Sequence, residues 1–214
     1  MTTNMIPIKD HQRSPILMLT AADPQIGRRI LGLNEAPGFL TRLARDPVFL
    51  DAHILPLFKQ AELAEDWYVA RRYDVPGGGS LQIFVWPPGT ETRVHDHSSW
   101  GAFHCIIGSM FEERYERLDD GSQFEHASLQ NVWQKVWRKE DVVSTVLPYD
   151  GGIHRVGNAG DGVAISVHLY GPRMSEIDGR DYDPALDYVC DRTDELEQPD
   201  ARFGEQKTPG LIEA

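Results

Sequence analysis

The sequence predicts a mainly β protein, a sandwich or barrel of which the double-sheet jelly roll is one form, with a helical layer ahead of it. Three observations carry this expectation. From Trp67 to Tyr170, short alternating or apolar runs recur at regular spacing, with Gly, Pro, Asp and Ser in the gaps. Between Asp23 and about Asp66 the apolar residues follow a helical period instead. After Gly171 the chain becomes acidic and proline-bearing and loses both patterns.

Taken in order, residues 1 to about 22 show no period and read as an extended arm. Asp23-Pro24 has the form of an N-cap followed by proline at the first helical position. Ile26, Ile30 and Leu31 share one helix face. Phe39, Leu40, Leu43 and Ala44 make a second, and Phe49, Leu50, Ile54, Leu55, Leu57 and Phe58 a third. Strands are expected from Trp67, where Trp67, Val69 and Arg71 alternate with Tyr68, Ala70 and Arg72. They continue over Leu81–Trp86, Thr92–His97, Ala102–Ile107, Phe111–Arg117, Val132–Trp137, Val142–Val146 and Val163–Tyr170. The expected organisation is a single domain: an arm and helical segment over 1–66, the barrel over 67–171, and a wrapping tail over 172–214. The tail is expected to be ordered near Tyr182 to Tyr188 and to fray after about Glu197.

The formal net charge of -12 over 214 residues argues against nucleic acid and anionic membrane as partners, while allowing a local basic pocket for a small anion. No apolar run is long enough to span a bilayer, and the N-terminal residues lack the basic-then-apolar order of a signal peptide. Cys105 and Cys190 do not make a disulfide framework, so a reduced, cytoplasmic setting is expected. The expected partner is a small-molecule substrate, and the expected assembly a monomer or small homo-oligomer. Pro76-Gly77-Gly78-Gly79 is a turn: no lysine or Ser/Thr-opened helix follows it, as a phosphate cradle requires.

The chemistry gathers around His95-Asp96-His97. Histidines two apart on a strand point to one face, where two imidazoles can share one metal ion. The alternative is a surface or packed pair, but Pro87-Pro88-Gly89 before it and Gly108 after it fit a strand delivering its side chains into a barrel. An open site needs a third ligand, and His154, where Gly151-Gly152 hands over to a strand, is the best candidate. His104 reads as a packed residue, and His11, His53 and His126 as solvated or structural ones. Ser166, His168 and Tyr170 fall at alternate positions of one strand, with Val167 and Leu169 on its other face. They read either as a hydrogen-bonded relay, with Tyr170 presenting its hydroxyl to the metal or a ligand, or as the polar face of an edge strand. Trp86 and Trp100 read as packing at the barrel rim, and Arg155 as an ion-pair partner for an acidic neighbour such as Asp96.

Together these pieces resemble the thiol dioxygenases, the group of cysteine dioxygenase and 3-mercaptopropionate dioxygenase within the cupin superfamily. The resemblance runs over Trp86-x-x-Gly89, His95-Asp96-His97, Trp100-Gly101, Gly108, Ile153-His154-Arg155-Val156-x-Asn158 and Ser166-x-His168-x-Tyr170-Gly171. It implies a cupin double-stranded β-helix barrel and one mononuclear Fe(II) per chain on His95, His97 and His154. It further implies a supporting relay of Ser166, His168 and Tyr170, with O2 as co-substrate. The implied reaction adds both oxygen atoms to the sulfur of a small carboxylate-bearing thiol, cysteine or 3-mercaptopropionate, giving a sulfinic acid. Many cupins place a glutamate ligand where this chain has Gly101. Animal cysteine dioxygenases have a cysteine there, cross-linked to the tyrosine, so no such link to Tyr170 is expected here. For the substrate carboxylate the resemblance points to Arg71 or Arg72, and to Arg180, with Arg173 also in that region. The alternative for each arginine is a surface salt bridge. Two other functions compete: a non-catalytic cupin that binds a small acid or acts as a sensor, and a cupin with another metal reaction, which would want the missing carboxylate ligand.

Overall fold

The computed structural model describes residues 32–61 and 64–192, so the arm and the expected helix around Ile26, Ile30 and Leu31 lie outside the described residues, as does the chain after 192. Helix α1 (Ala36–Leu43) is followed by a second helical segment. This comprises α2 (Pro47–Phe49), a π turn (Leu50–Ile54) and α3 (Leu55–Ala61). Asp46 starts it by accepting the Val48 and Phe49 N–H groups at 2.9 and 3.4 Å. The expected face is kept by Phe49, Ile54 and Leu57, but Leu55 and Phe58 are exposed. The wider π turn inserts an extra residue and rotates the face that follows it.

Among the described residues, eleven strands make two antiparallel sheets of the cupin jelly-roll kind. They are β1 (Tyr68–Val75), β2 (Gly79–Trp86), β3 (Val94–His95), β4 (Gly101–Ile107), β5 (Ser109–Arg117) and β6 (Leu129–Arg138), then β7 (Ser144–Val146), β8 (His154–Asn158), β9 (Ala164–Tyr170), β10 (Arg180–Asp183) and β11 (Tyr188–Asp191). One sheet runs β1-β2-β9-β4-β7 and the other β11-β10-β3-β8-β5-β6. The expected strand over Thr92–His97 shortens to Val94–His95, because beyond His95 the backbone leaves the ladder and Asp96 and His97 bond to Arg180 and Tyr149.

The segment after Gly171 also differs from the expected wrapping tail. Its residues 180–191 form the β10–β11 hairpin, and β10 pairs with β3 at Asp181–His95 and Tyr182–Val94. Among its charged residues stand Tyr182 and Val189, which pack with Val94, Ala127 and Ile153. The segment therefore supplies the edge of the sheet that carries the histidines.

The five-stranded sheet is apolar on its outer face. Leu81, Ile83, Val85, Ile165, Val167 and Leu169 pack there under Phe39, Leu40, Leu43, Phe49, Ile54 and Leu57 of the helices. At about 1.5–3 kcal/mol for each such side chain fully buried, this is the main apolar contribution the helical layer makes. The space between the sheets is filled from one end by Trp86, Phe103, Cys105, Met110, Trp137 and Val156. The polar residues gather beyond this plug.

Candidate metal centre and its hydrogen-bonded relay

His95 ends β3, His97 follows on the loop, and His154 opens β8 directly opposite His95 in the ladder. Cross-strand neighbours in an antiparallel pair point to the same face, so the three imidazoles meet between the sheets. All three are buried. Their Nε2 atoms lie 3.1 Å apart for His95 and His97 and 3.3 Å apart for His97 and His154, and the three ligand atoms fall within 4.8 Å of one another.

The partners of the other ring nitrogens fix what these atoms are. His95 Nδ1–H donates to the Arg93 carbonyl at 2.9 Å, and His154 Nδ1–H donates to Glu112 Oε1 at 3.2 Å. Their Nε2 atoms therefore carry lone pairs toward the centre. The His95 and His97 pKa values lie well below the ordinary imidazole value, first because burial penalises the charged form, then because a proton on either ring is opposed by one on His154 and by the nearby Arg192 guanidinium. Converging lone pairs on buried neutral imidazoles repel unless a cation lies between them. The donor set fits a metal ion, and nitrogen ligands of this kind suit iron as well as zinc or copper.

Glu112 is a functional candidate that sequence reasoning missed. It is fully buried. Its carboxylate takes His154 Nδ1–H, Arg114 Nε–H at 3.2 Å, Trp137 Nε1–H at 3.0 Å and Ser144 Oγ–H at 2.6 Å. Burial alone would raise its pKa, but the His154 bond and charge, Arg114 and Ser144 together hold it below the ordinary glutamate value. The available signal was strand alternation: Met110, Glu112 and Arg114 share one face of β5.

The Ser166, His168 and Tyr170 row lies on the inner face of β9, beside the histidines. Ser166 Oγ is 2.7 Å from His168 Nε2, and His168 Nδ1 is 3.1 Å from Tyr170 Oη. Trp86 is fully buried, and its Nε1–H donates to Ser166 Oγ at 2.8 Å, so it extends the row and does more than pack at a rim. Trp86 fills one lone pair of Ser166 Oγ, and His168 Nε2 is the acceptor within reach of the Ser166 hydroxyl among the described residues, which favours one direction for the chain. Ser166, accepting from Trp86, gives its own proton to His168 Nε2. His168 then carries its proton on Nδ1 and donates to Tyr170 Oη, which leaves the tyrosine O–H to donate into the site. His168 is held neutral, its pKa lowered to about 3 chiefly by burial and then by the nearby His154. Burial pushes the Tyr170 phenol above its ordinary value, so it stays protonated at neutral pH.

A small cavity lies between the two groups, lined by His97, Gly101, Phe103, His154, His168 and Tyr170 among others. Gly101 matters to it. A Cβ there would meet Val146 Cγ2 at 3.1 Å and Tyr170 Cε1 at 3.3 Å, so a side chain would crowd the cavity and the tyrosine ring. No carboxylate enters from this position. Cys105 is buried four positions along, its thiol donating toward the Ile107 and Gly108 carbonyls and its pKa pushed up to about 12 by burial, so it is neither a thiolate nor a partner for Tyr170.

Asp96 points away from the cavity and is fully buried. Its partner is Arg180, not the expected Arg155. Arg180 donates from its backbone N at 2.7 Å, from Nε at 2.8 Å and from Nη2 at 2.6 Å, and Tyr182 Oη donates at 2.8 Å. Arg155 instead bonds Glu113 and Glu91, across the neighbouring strands. Arg180 Nη2 also reaches Asp150 at 2.8 Å, so this arginine braces the turn between His95 and His97 from behind. Arg71 pairs with Ile83 and lies on the helix-covered face, donating to its neighbour's carbonyl at Ala70. Arg72 pairs with Gln82, which pairs with His168, so Arg72 shares the inner-face row and is exposed at its edge. Arg173 forms an exposed pair with Asp178. His104 is buried on the other face of β4, and His53 bonds Tyr73 Oη at 2.9 Å, both away from the centre.

The sequence profile of the family described as cysteine dioxygenase type I matches residues 56–183, which contain every residue of the centre described above. Among solved structures, the chain is similar to recombinant oxalate oxidase in complex with glycolate (19% identity, TM-score 0.40, covering 52% of this chain and 54% of that one). It is also similar to the capsular polysaccharide assembling protein CapF from Staphylococcus aureus (12%, TM-score 0.38, 63% and 34%) and to TT1209 from Thermus thermophilus (15%, TM-score 0.35, 48% and 83%). The chain thus spans 54% of the oxalate oxidase and 34% of CapF. No helix among the described residues is long and apolar enough to cross a membrane.

Proposed function

Because the chain belongs to the cysteine dioxygenase type I family, we propose that it is an iron(II)-dependent thiol dioxygenase acting on a small carboxylate-bearing thiol. The observation that carries this reading is the pairing of a three-histidine centre, with no carboxylate from Gly101, and a relay that aims the Tyr170 hydroxyl into the same cavity. His95, His97 and His154 would hold the iron. Iron(II) bound there supplies the redox chemistry by which RSH and O2 combine to RSO2H, both oxygen atoms going to sulfur. Three neutral imidazoles leave the site its full positive charge, which favours the thiolate form of the substrate.

The protein's own residues then have separate tasks. Glu112 holds His154 in the tautomer that presents Nε2. Asp96, clamped by Arg180 and Tyr182, fixes the turn that aims His95 and His97. Trp86, Ser166 and His168 keep Tyr170 a donor, and its hydroxyl is placed to stabilise negative charge developing on a reacting oxygen. Of the three arginines expected to grip the substrate carboxylate, Arg71 faces the helices and Arg180 is engaged by Asp96 and Asp150. Arg72 alone of the three keeps an open approach from the inner-face row.

The test is oxygen uptake by the iron-loaded protein against L-cysteine, 3-mercaptopropionate, mercaptosuccinate and cysteamine, with the sulfinic acid identified by mass. Uptake is expected with at least one carboxylate thiol, at one O2 per thiol. Bound iron with no uptake from any of the four removes the reading and favours a non-catalytic binding cupin.

A further inference from the structure

β6 is the outermost strand of the six-stranded sheet, and no strand among the described residues pairs with its free edge. Such an edge offers a row of unpaired N–H and C=O groups to another strand. The other three sheet edges are blunted. β7 and β11 have only three and four residues, and β1 carries Arg71, Arg72 and Asp74. β6 runs for ten residues without a proline, and its Val132, Trp133 and Val136 are 45%, 38% and 40% exposed. Its lysine does not guard the edge. Lys135 Nζ lies 3.7 Å from the centroid of the Trp137 ring and 3.3 Å from Asp141 Oδ1, so its charge is folded back onto its own molecule.

We propose that β6 pairs with β6 of a second copy of this chain, antiparallel about a two-fold axis at Val136, so that one sheet runs through both copies. The inference is independent of the dioxygenase reading. The side chains of the strand select both partner and register. A bulge at Val132, where the ladder to β5 skips from Trp133 to Asn131, leaves 133–138 as the regular stretch. In a two-fold antiparallel pair, residues equally far from the axis lie opposite each other. An axis at Lys135 would set Lys135 against its own copy, and an axis at Trp137 would set Lys135 against Lys139. An axis at Gln134 would draw the bulge into the pairing. An axis at Val136 sets Val136 against Val136, Lys135 against Trp137, Gln134 against Arg138 and Trp133 against Lys139. No like charges meet, and each tryptophan faces a cation. Val136 lies opposite Phe111 on the outer face, whereas Lys135 lies opposite the buried Glu112 on the inner one. The paired valines therefore cover exposed apolar surface and leave the inner row undisturbed. β6 also carries no acidic residue, so two chains of net charge -12 meet where neither presents its negative charge.

The test uses the full-length, iron-loaded chain. Sedimentation equilibrium at rising concentration is expected to give a mass approaching twice that of one chain. Val136→Lys and Val136→Asp each put like charges on the axis, and each is expected to weaken self-association about tenfold or more. An equimolar mixture of the two variants puts opposite charges there and is expected to restore the dimer. Val136→Cys supplies a second measurement. A residue on the axis faces itself, so mild oxidation is expected to give a disulfide-linked dimer, whereas Gln130→Cys, exposed on the same strand but off the axis, is expected to stay unlinked. A wild-type chain that remains monomeric at every concentration overturns the proposal. So does a monomer whose β6 amides are protected from hydrogen exchange, since the edge would then be covered by another part of the same chain. A dimer that both charged variants leave intact, a mixture that fails to restore it, or equal cross-linking by the two cysteine variants overturns it as well.

Discussion

The two sheets that enclose the cavity solve the problem of buried polar groups in different ways. The five-stranded sheet is covered on its outer face by the helices, and the buried polar residues Trp86, Ser166, His168 and Tyr170 on its inner face are neutral and satisfy one another in a single chain. The six-stranded sheet exposes much of β6 to solvent, and its polar residues are held by charge: Glu112 with Arg114 and His154, Asp96 with Arg180, Asp181 with Arg192. The difference follows from the cost of burying charge, which is tolerable only where partners and nearby solvent compensate it. It also divides the chemistry. The charged sheet holds the candidate metal ligands, while the neutral sheet fixes the position of one proton.

The comparison breaks most severely at the ligands. His154→Ala should reduce iron from about one ion per chain to near background and abolish oxygen uptake, because a two-histidine site leaves the ion to water. Iron content measured by emission spectroscopy decides it, and full retention of iron would remove His154 from the ligand set. Glu112→Gln comes next. It keeps shape and a hydrogen-bond acceptor but removes the charge that orients His154. Outer partners of this kind typically change metal affinity about 10- to 100-fold. Competition against a chelator should show weaker iron binding in Glu112→Gln; unchanged affinity would make Glu112 a packing residue.

A change in the neutral sheet should act on turnover and leave iron in place. Tyr170→Phe removes the donor at the end of the relay and should lower kcat about 10- to 100-fold with iron content unchanged. Trp86→Phe, which removes only the first donor, should lower kcat by a smaller factor. It frees Ser166 to take either orientation, so His168 no longer has a single favoured tautomer. Loss of iron in either variant would contradict the division of labour between the sheets.

The residues that were legible in the sequence are those placed by strand alternation alone. His95, Ser166, His168 and Tyr170 sit where a period of two puts them, and His154 was marked by the Gly-Gly turn before its strand. The residues that were not legible depend on which strand neighbours which. Glu112 stands in a charged run, Glu112-Glu113-Arg114, and only the pairing of β5 with β8 shows that it meets His154 while Glu113 meets Arg155 on the opposite face. Asp96 is expected from the sequence to pair with Arg155. The β10–β3 pairing selects Arg180.

The smallest effect is also the one that tests the neutral sheet directly. Folded His168 has a pKa of about 3 against about 6.5 in the unfolded chain, and His95 and His97 also lie well below 6.5. Each depressed histidine binds fewer protons folded than unfolded between those values, so its contribution is fully present above about pH 6.5 and is lost as pH falls toward the folded value. Glu112, also depressed, keeps its full contribution above the ordinary carboxylate range and loses it only at lower pH, which leaves about pH 6.5 to 5 as the window for the histidines. Chemical denaturation of the metal-free protein across that window should show stability falling with decreasing pH, and His168→Gln should reduce the slope by about one proton. An unchanged slope would mean that His168 already carries a proton on each ring nitrogen when folded. Ser166 would then be unable to donate to it, and the direction of the relay from Trp86 to Tyr170 would be lost.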